Sequence, residues 1–264
     1  NYYREITPEN ILKKVNTSKD SLLYSKAMES AITLVKNSKE TLPLSTNKKY
    51  LHVPMGKNKN SKYLTNKMAM YVDVEEFKGE DYLSIHKKTD YDAIIISYHG
   101  SSSSPYASNI IPKDIVREID NISKSNNVIL NLFLNPYSLN SFKSIDNYDS
   151  IIISYQNNMI SQEIAADLMF GVRSFKGKIP VSNNFFNVNH GLTFDKKEIL
   201  GFSRPAYEGF DSKKLQYLDS IATRSIDSMI APGIQMLVSK NGKVIYNKSF
   251  GYHTYEKIVK LKNN

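Results

Sequence analysis

The 264-residue chain is 41% apolar and 23% charged, the balance of a globular protein with room for one large domain, or one domain and part of another. It has no cysteine, which excludes disulfides, thiolate metal sites and thiol catalysis, and no apolar run approaches the ~18 residues of a membrane helix. The formal charge of +9 divides into +6 over residues 1–60, −3 over 61–195 and +6 over 196–264. This lysine-rich excess comes without an RNA-binding aromatic motif, so it reads as a solvated surface and no nucleic-acid partner is expected. No basic-then-apolar leader stands at the start. The compartment stays open, with a cell-envelope or secreted location expected if a signal peptide stands ahead of Asn1.

The first periodic stretch, "SKDSLLYSKAMESAITLVKN", puts Leu22, Leu23, Ala27, Ala31, Leu34 and Val35 on one face and predicts a helix. Five short β-type runs follow: 49–55, 69–75, 92–99, 128–134 and 150–156. The triplets Ile94-Ile95-Ile96 and Ile151-Ile152-Ile153 do not alternate, as expected of strands covered on both faces. Helical patterns lie between the later strands. "PKDIVREIDNISKS" opens at Pro112 and repeats Ile115, Ile119 and Ile122, and "MISQEIAADLMFG" stops at Gly171. This alternation predicts an α/β fold, a doubly wound, mainly parallel sheet sandwiched by helices. "RSFKGKIPVS" (173–182) reads as a turn at Gly177 into a short closing strand with Pro180 at its edge.

Past residue 195 the pattern changes. Residues 196–211 are polar and carry Gly201, Pro205 and Gly209, so they read as a linker between a domain at 1–195 and a segment at 212–264. That segment opens with a helix over 212–229, capped by Asp211 or Ser212, with Leu215, Leu218, Ala222, Ile226 and Met229 on one stripe. Two strands then flank Asn241-Gly242, a strong hairpin signal. One helix and one hairpin make too little core to stand alone, which marks an incomplete second domain.

Candidate chemistry is sparse. His99 follows a buried strand in "YHGSSSSPY", beside four serines, yet the nucleophile elbow G-x-S-x-G is absent. A structural or loop role fits it better than catalysis. Ser-x-x-Lys occurs at Ser45 to Lys48 and Ser84 to Lys87, but both fall in loops rather than at helix starts, so both read as chance matches. There is no G-x-G-x-x-G and no P-loop, and the five histidines form no metal-binding pair. Glu75, Glu76, Glu80 and Asp81 read as a solvated acidic loop. No cofactor, metal or catalytic residue is expected from these patterns.

Several stretches resemble the second, α/β-sandwich domain of family 3 glycoside hydrolases. "ESAITLVKNSKETLPL" (29–44) resembles the segment that opens that domain, and "FGVRSFKGKIPVS" (170–182) resembles its close. "YDAIIISYHGSS" and "NLFLNPYSL" resemble strands and loops of the branch that includes bacterial β-N-acetylhexosaminidases. "DSIATRSIDSMIAPGIQMLVSKNGKVIYNKSFGYHTYEK" (219–257) resembles the opening helix and hairpin of the serine β-lactamase-like, penicillin-binding fold. The resemblance implies that both active centres lie outside this chain. The glycosidase carboxylates would sit on a preceding (β/α)8 barrel, and the Ser-x-x-Lys of the second fold would come after the hairpin. The α/β domain would then buttress the barrel, its partner in the same polypeptide, and reach carbohydrate only through it. Tyr98, His99, Gly100, Ser101, Asn135, Pro136 and Tyr137, on loops after strands, form the candidate ligand- or domain-facing set, with Tyr98 and Tyr106 placed to stack on sugars. The alternative is an autonomous carbohydrate- or nucleotide-binding module using the switch point of the sheet.

Overall fold

The structure, a computed structural model, describes residues 7–8, 11, 14–15, 17–57, 59–79, 81–87, 90–100 and 109–262. Ser101 and Tyr106 lie outside the described residues. The chain makes two compact units, one of Ala27–Glu198 and one of the described residues before Ala27 together with those from Ile199 on.

Helix α1 (Ser18–Ala31) leads into strand β1 (Thr33–Asn37). The periodicity that predicted a helix through Val35 therefore breaks at Ile32. Leu34 and Val35 are both buried, as neighbours on opposite faces of a strand, and Leu34 pairs with Ile152. An apolar pair fits either geometry, and the β-branched Thr33 and Val35 favour the extended one. Gly177 makes the junction compact. A Cβ there would lie 2.4 Å from the carbonyl oxygen of Ile32, so only glycine lets the two backbones meet.

The α/β unit continues with β2 (Tyr50–Met55), α2 (Lys62–Met68), β3 (Val74–Glu76), β4 (Ala93–His99), α3 (Lys113–Ser123), β5 (Val128–Phe133), β6 (Ser150–Ile153) and α4 (Met159–Met169). Sheet order is β1-β6-β5-β4-β2-β3, parallel except for β1 against β6. The expected doubly wound fold is present, with helices on both faces of the sheet. β3 is shorter than the run at 69–75, because residues 69–72 turn out of α2 instead. The closing strand expected near Pro180 is absent, and isolated bridges, such as Phe175 with Phe194, and loop hydrogen bonds, such as Ile179 N–H to the His190 carbonyl, tie that region to its neighbours.

The two sheet faces differ in chemistry. One carries Leu51, Val53, Ile94, Ile96, Leu130, Leu132, Ile151 and Ile153, and Val116, Ile119 and Ile122 of α3 pack over them in one apolar core. Each such side chain contributes ~1.5–3 kcal/mol by leaving water. The opposite face carries His52, Ser97, His99, Asn131 and Ser154, all buried, among Ile95, Ile129 and Ile152. Four charged groups lock the helices beside that polar row. Asp167 of α4 receives Lys67 of α2 at 3.1 Å and Arg173 Nε at 3.0 Å, and Arg173 also pairs with Glu29 of α1.

In the other unit, β7 (Gly201–Phe202), β8 (Gly233–Lys240) and β9 (Lys243–Gly251) form a sheet in the order β7-β9-β8. The polar stretch at 196–211 thus supplies an edge strand and a 3₁₀ turn, Pro205–Glu208. The predicted helix is split into α5 (Ser212–Leu215), capped by Asp211, and α6 (Tyr217–Asp227). Asn241 and Gly242 both have positive φ, as a type I′ hairpin turn requires. Of the predicted helical stripe only Ala222 is fully buried. No helix among the described residues is long and apolar enough to cross a membrane.

Candidate functional site

From β2 the chain steps outward to β3, then crosses back to β4 on the other side of β2. That reversal makes the carboxyl ends of β2 and β4 the switch point where open α/β sheets hold ligands. Here the two loops are drawn together. A Cβ on Gly56, which has φ +103, would lie 2.6 Å from the His99 carbonyl oxygen, and one on Gly100 would lie 2.1 Å from Leu134 Cδ2. No room for a side chain exists at either glycine.

Beneath them runs a chain of hydrogen bonds whose direction can be deduced from one end. Gln162 is fixed by the backbone: its Oε1 accepts from the Leu64 N–H at 3.1 Å and its Nε2 donates to the Asn60 carbonyl at 2.7 Å. The same Nε2 donates to Asn157 Oδ1 at 2.8 Å, so that oxygen accepts from His99 Nδ1 at 2.9 Å. His99 Nε2 is then an acceptor, filled by the Ser97 hydroxyl at 2.8 Å. Ser97 Oγ, its hydrogen used, accepts from His52 Nε2 at 2.6 Å, and His52 Nδ1 lies 2.9 Å from Thr65 Oγ1, whose one hydrogen it shares with the carboxylate of Glu76. Each tautomer follows from its neighbour, given neutral rings.

Both rings are held neutral at pH 7. Burial lowers His52 to about 3, and neighbouring His99 lowers it further. Burial also lowers His99 to about 4, against opposing contributions from the Asn157 hydrogen bond and the Glu76 charge. His99 is closed off completely and stacks on Phe133 with centroids 4.8 Å apart. With all four ring nitrogens engaged, neither histidine has a nitrogen left for a bound molecule. The network braces β2, β4, α2 and the β6–α4 loop.

The other candidate residues are dispersed. Tyr98 points from β4 into the apolar core, on the opposite face from His99, and is buried. Asn135 caps the 3₁₀ turn Pro136–Ser141 by accepting from the Tyr137 N–H, and Pro136 is buried. Among the described residues of this set, Tyr137 is the most open to solvent, at 49% exposure, and Asn135 is half-buried. Three loops are joined around it. Ile111 N donates to Ser141 Oγ at 2.9 Å, Asn184 N to Asn140 Oδ1 at 2.9 Å, and Asn183 Nδ2 to the Pro136 carbonyl at 3.4 Å. Ile110 and Val188 are exposed on these loops, and Phe185 and Phe186 are half-buried against the apolar core. Neither Ser45 nor Ser84 opens an α-helix, and no metal-binding cluster occurs among the described residues.

Sequence reasoning passed over His52, Ser97, Asn157 and Gln162. The one local signal is Ser97 and His99 at i and i+2 of an apolar strand, which places both on one face.

No family model and no curated protein matches the chain. Solved structures do match its fold. Beta-glucoside phosphorylase BglX is 20% identical with a TM-score of 0.51, over 67% of this chain and 34% of its own. A fungal multi-domain GH3 β-N-acetylglucosaminidase, described with a GCN5-related glucosamine N-acetyltransferase region, is 15% identical with a TM-score of 0.50, over 93% of this chain and 29% of its own. The β-glucosidase of Listeria innocua is 15% identical with a TM-score of 0.51, over 67% of this chain and 29% of its own. At this identity the likeness establishes the fold, one that glycosidases of family GH3 also contain. The chain spans about a third of the length of the structures it matches.

Proposed function

We propose that the chain is the non-catalytic α/β domain of a larger family 3-type glycoside hydrolase of the β-N-acetylhexosaminidase kind, followed by the opening of a β-lactamase-like domain. The observation that carries the first part is the edge surface around Tyr137. Ile110, Tyr137 and Val188 are each exposed on loops that hydrogen bonds tie to one another, the kind of surface a neighbouring domain covers. The spent nitrogens of His52 and His99 fit a bracing role better than a catalytic one. The second part draws support from β8, an edge strand with one side unpaired, and from exposed Leu237, Met229, Ile230 and Ile258. A three-stranded sheet leaving that much apolar surface open reads as part of a larger layer.

Turnover of chromogenic β-glucosides and N-acetyl-β-glucosaminides separates the possibilities. The chain alone is expected to be inactive, and a polypeptide carrying the barrel active. Hydrolysis by the isolated chain would refute the assignment. The alternative, an autonomous module holding its ligand at the switch point, is disfavoured by the closure of Gly56 and Gly100 against His99 and Leu134.

A further inference from the structure

A cavity of the α/β unit lies at the opposite end of the sheet from the switch point, under the amino ends of β4, β5 and β6, with a volume of about 600 Å³. The α3–β5 turn forms one wall, with Lys124, Ser125 and Asn126, and the lead into β6 forms the other, with Asp146 and Asn147. The Tyr91 ring also borders the cavity. Its orientation is fixed by a hydrogen bond from its hydroxyl to Glu75 and by Lys49 Nζ, 5.5 Å from the ring centroid.

Charge in the lining cancels. Lys39 is bonded to Asp149 at 2.8 Å, which leaves one lysine and one aspartate, Lys124 and Asp146. An ionic ligand therefore gains no net attraction, and an apolar one would find little beyond Tyr91, Ala93 and Ile94. What the walls offer is unused hydrogen-bonding capacity. Among the described residues, the Asn147 side chain makes no hydrogen bond. Asn126 donates to the Ile122 carbonyl while its Oδ1 accepts nothing, and Asp146 Oδ1 is likewise open beside an Oδ2 bonded to Ser144. Ser125 Oγ accepts from Asn126, which leaves its own hydrogen to donate. Donors and acceptors thus face one space from two walls, with an aromatic ring at its border.

The geometry points to a binding site for a neutral di- or oligosaccharide at this amino-terminal edge. Paired amide and carboxylate groups suit vicinal hydroxyls, which both donate and accept, and the Tyr91 ring offers an apolar surface for sugar C–H groups. The site is independent of the proposed function above, because it uses neither the His99 loop nor the Tyr137 surface.

The test is an amide-shift titration of the whole 264-residue chain, isotopically labelled, with maltose, cellobiose and glucose 6-phosphate. The expected result is saturable perturbation by the neutral disaccharides at residues 124–127 and 146–147. The double variant Asn126→Ala with Asn147→Ala is expected to weaken it about tenfold or more. Asn147 is exposed and Asn126 half-buried, and an unchanged amide spectrum elsewhere confirms the variant's fold. The proposal is overturned if neither disaccharide perturbs these amides, if perturbation centres on Tyr137 and Val188 instead, or if the variant binds as well as the parent. It is also overturned if glucose 6-phosphate binds more tightly than maltose.

Discussion

His52 and His99 tie stability to pH in a direction fixed by their burial. In the unfolded chain a histidine titrates near 6.5, whereas in the folded chain these two titrate at about 3 and about 4. The folded form stays neutral where the unfolded form takes up protons. Their contribution is therefore fully present above pH 6.5 and is lost as pH falls, toward about 4 for His99 and about 3 for His52. Near pH 5 the unfolded chain holds about two more protons at these sites, a slope of about 2.7 kcal/mol per pH unit, with stability rising as pH rises. Urea unfolding followed between pH 4.5 and 6.5 is expected to show this dependence, and replacing His52 with glutamine should remove a large part of it. Ser97→Ala tests the same chain at neutral pH. It leaves His99 Nε2 without its donor and His52 Nε2–H without its acceptor, at a cost of roughly 2–3 kcal/mol in unfolding free energy. A Ser97→Ala chain as stable as the parent would contradict the deduced hydrogen-bond order. In the sequence His99 stands beside a strand and four serines that lie outside the described residues. The serine that bonds it is Ser97, two residues earlier, and the groups that set its tautomer come from 58 or more residues along the chain.

At the scale of elements, strand and helix identity was legible wherever an apolar run was long or its turn chemistry specific. β4, β5 and β6 follow their isoleucine- and leucine-rich runs closely, and the Asn241-Gly242 turn forms as its positive φ values demand. The failures share one cause. Over 32–37 and 69–75 the apolar residues are too few to distinguish a period of two from one of 3.6, and pairing decides: Leu34 finds Ile152, while residues 69–72 find no strand partner. Invisible in the sequence was the charge cluster on Asp167, since Lys67, Arg173 and Glu29 read singly as surface groups. Their burial makes the interactions unequal. Asp167→Asn leaves Arg173 and Lys67, both more than nine-tenths buried, without their shared carboxylate, and is expected to cost about 3–5 kcal/mol. For a unit of this size that lowers the thermal midpoint by roughly 2–4 °C per kcal/mol. Glu29 is a third exposed, so Glu29→Gln should cost far less. Differential scanning of the two variants side by side checks the ranking, and equal midpoints would show that burial does not govern it.

Across the whole molecule, the two units differ in how completely they bury their own apolar residues. The α/β unit has a six-stranded sheet whose inner strands are closed on both faces, with Ile94, Ile96, Leu130, Leu132, Ile151 and Ile153 sealed from solvent. Among the described residues, the hairpin unit has only Val244, Ile245, Tyr246, Ala222 and Tyr207 as buried apolar side chains, while Ile230 is 74% and Ile258 81% exposed. Burial at about 25 cal/mol per Å² has to offset roughly 1–2 kcal/mol of backbone entropy for every residue ordered. The first unit has the apolar area for that, and the second falls short. Residues 18–198, which keep α1 whole, are therefore expected to fold alone, with a single cooperative urea transition and dispersed amide resonances. Residues 199–264 alone, which lack the part of this unit before Ala27, are expected to give a collapsed, poorly dispersed spectrum and to bind a dye for exposed apolar surface. A sharp, dispersed spectrum from residues 199–264 would show that this part of the unit folds without the segment before Ala27 and remove the support its open sheet lends to a longer second fold.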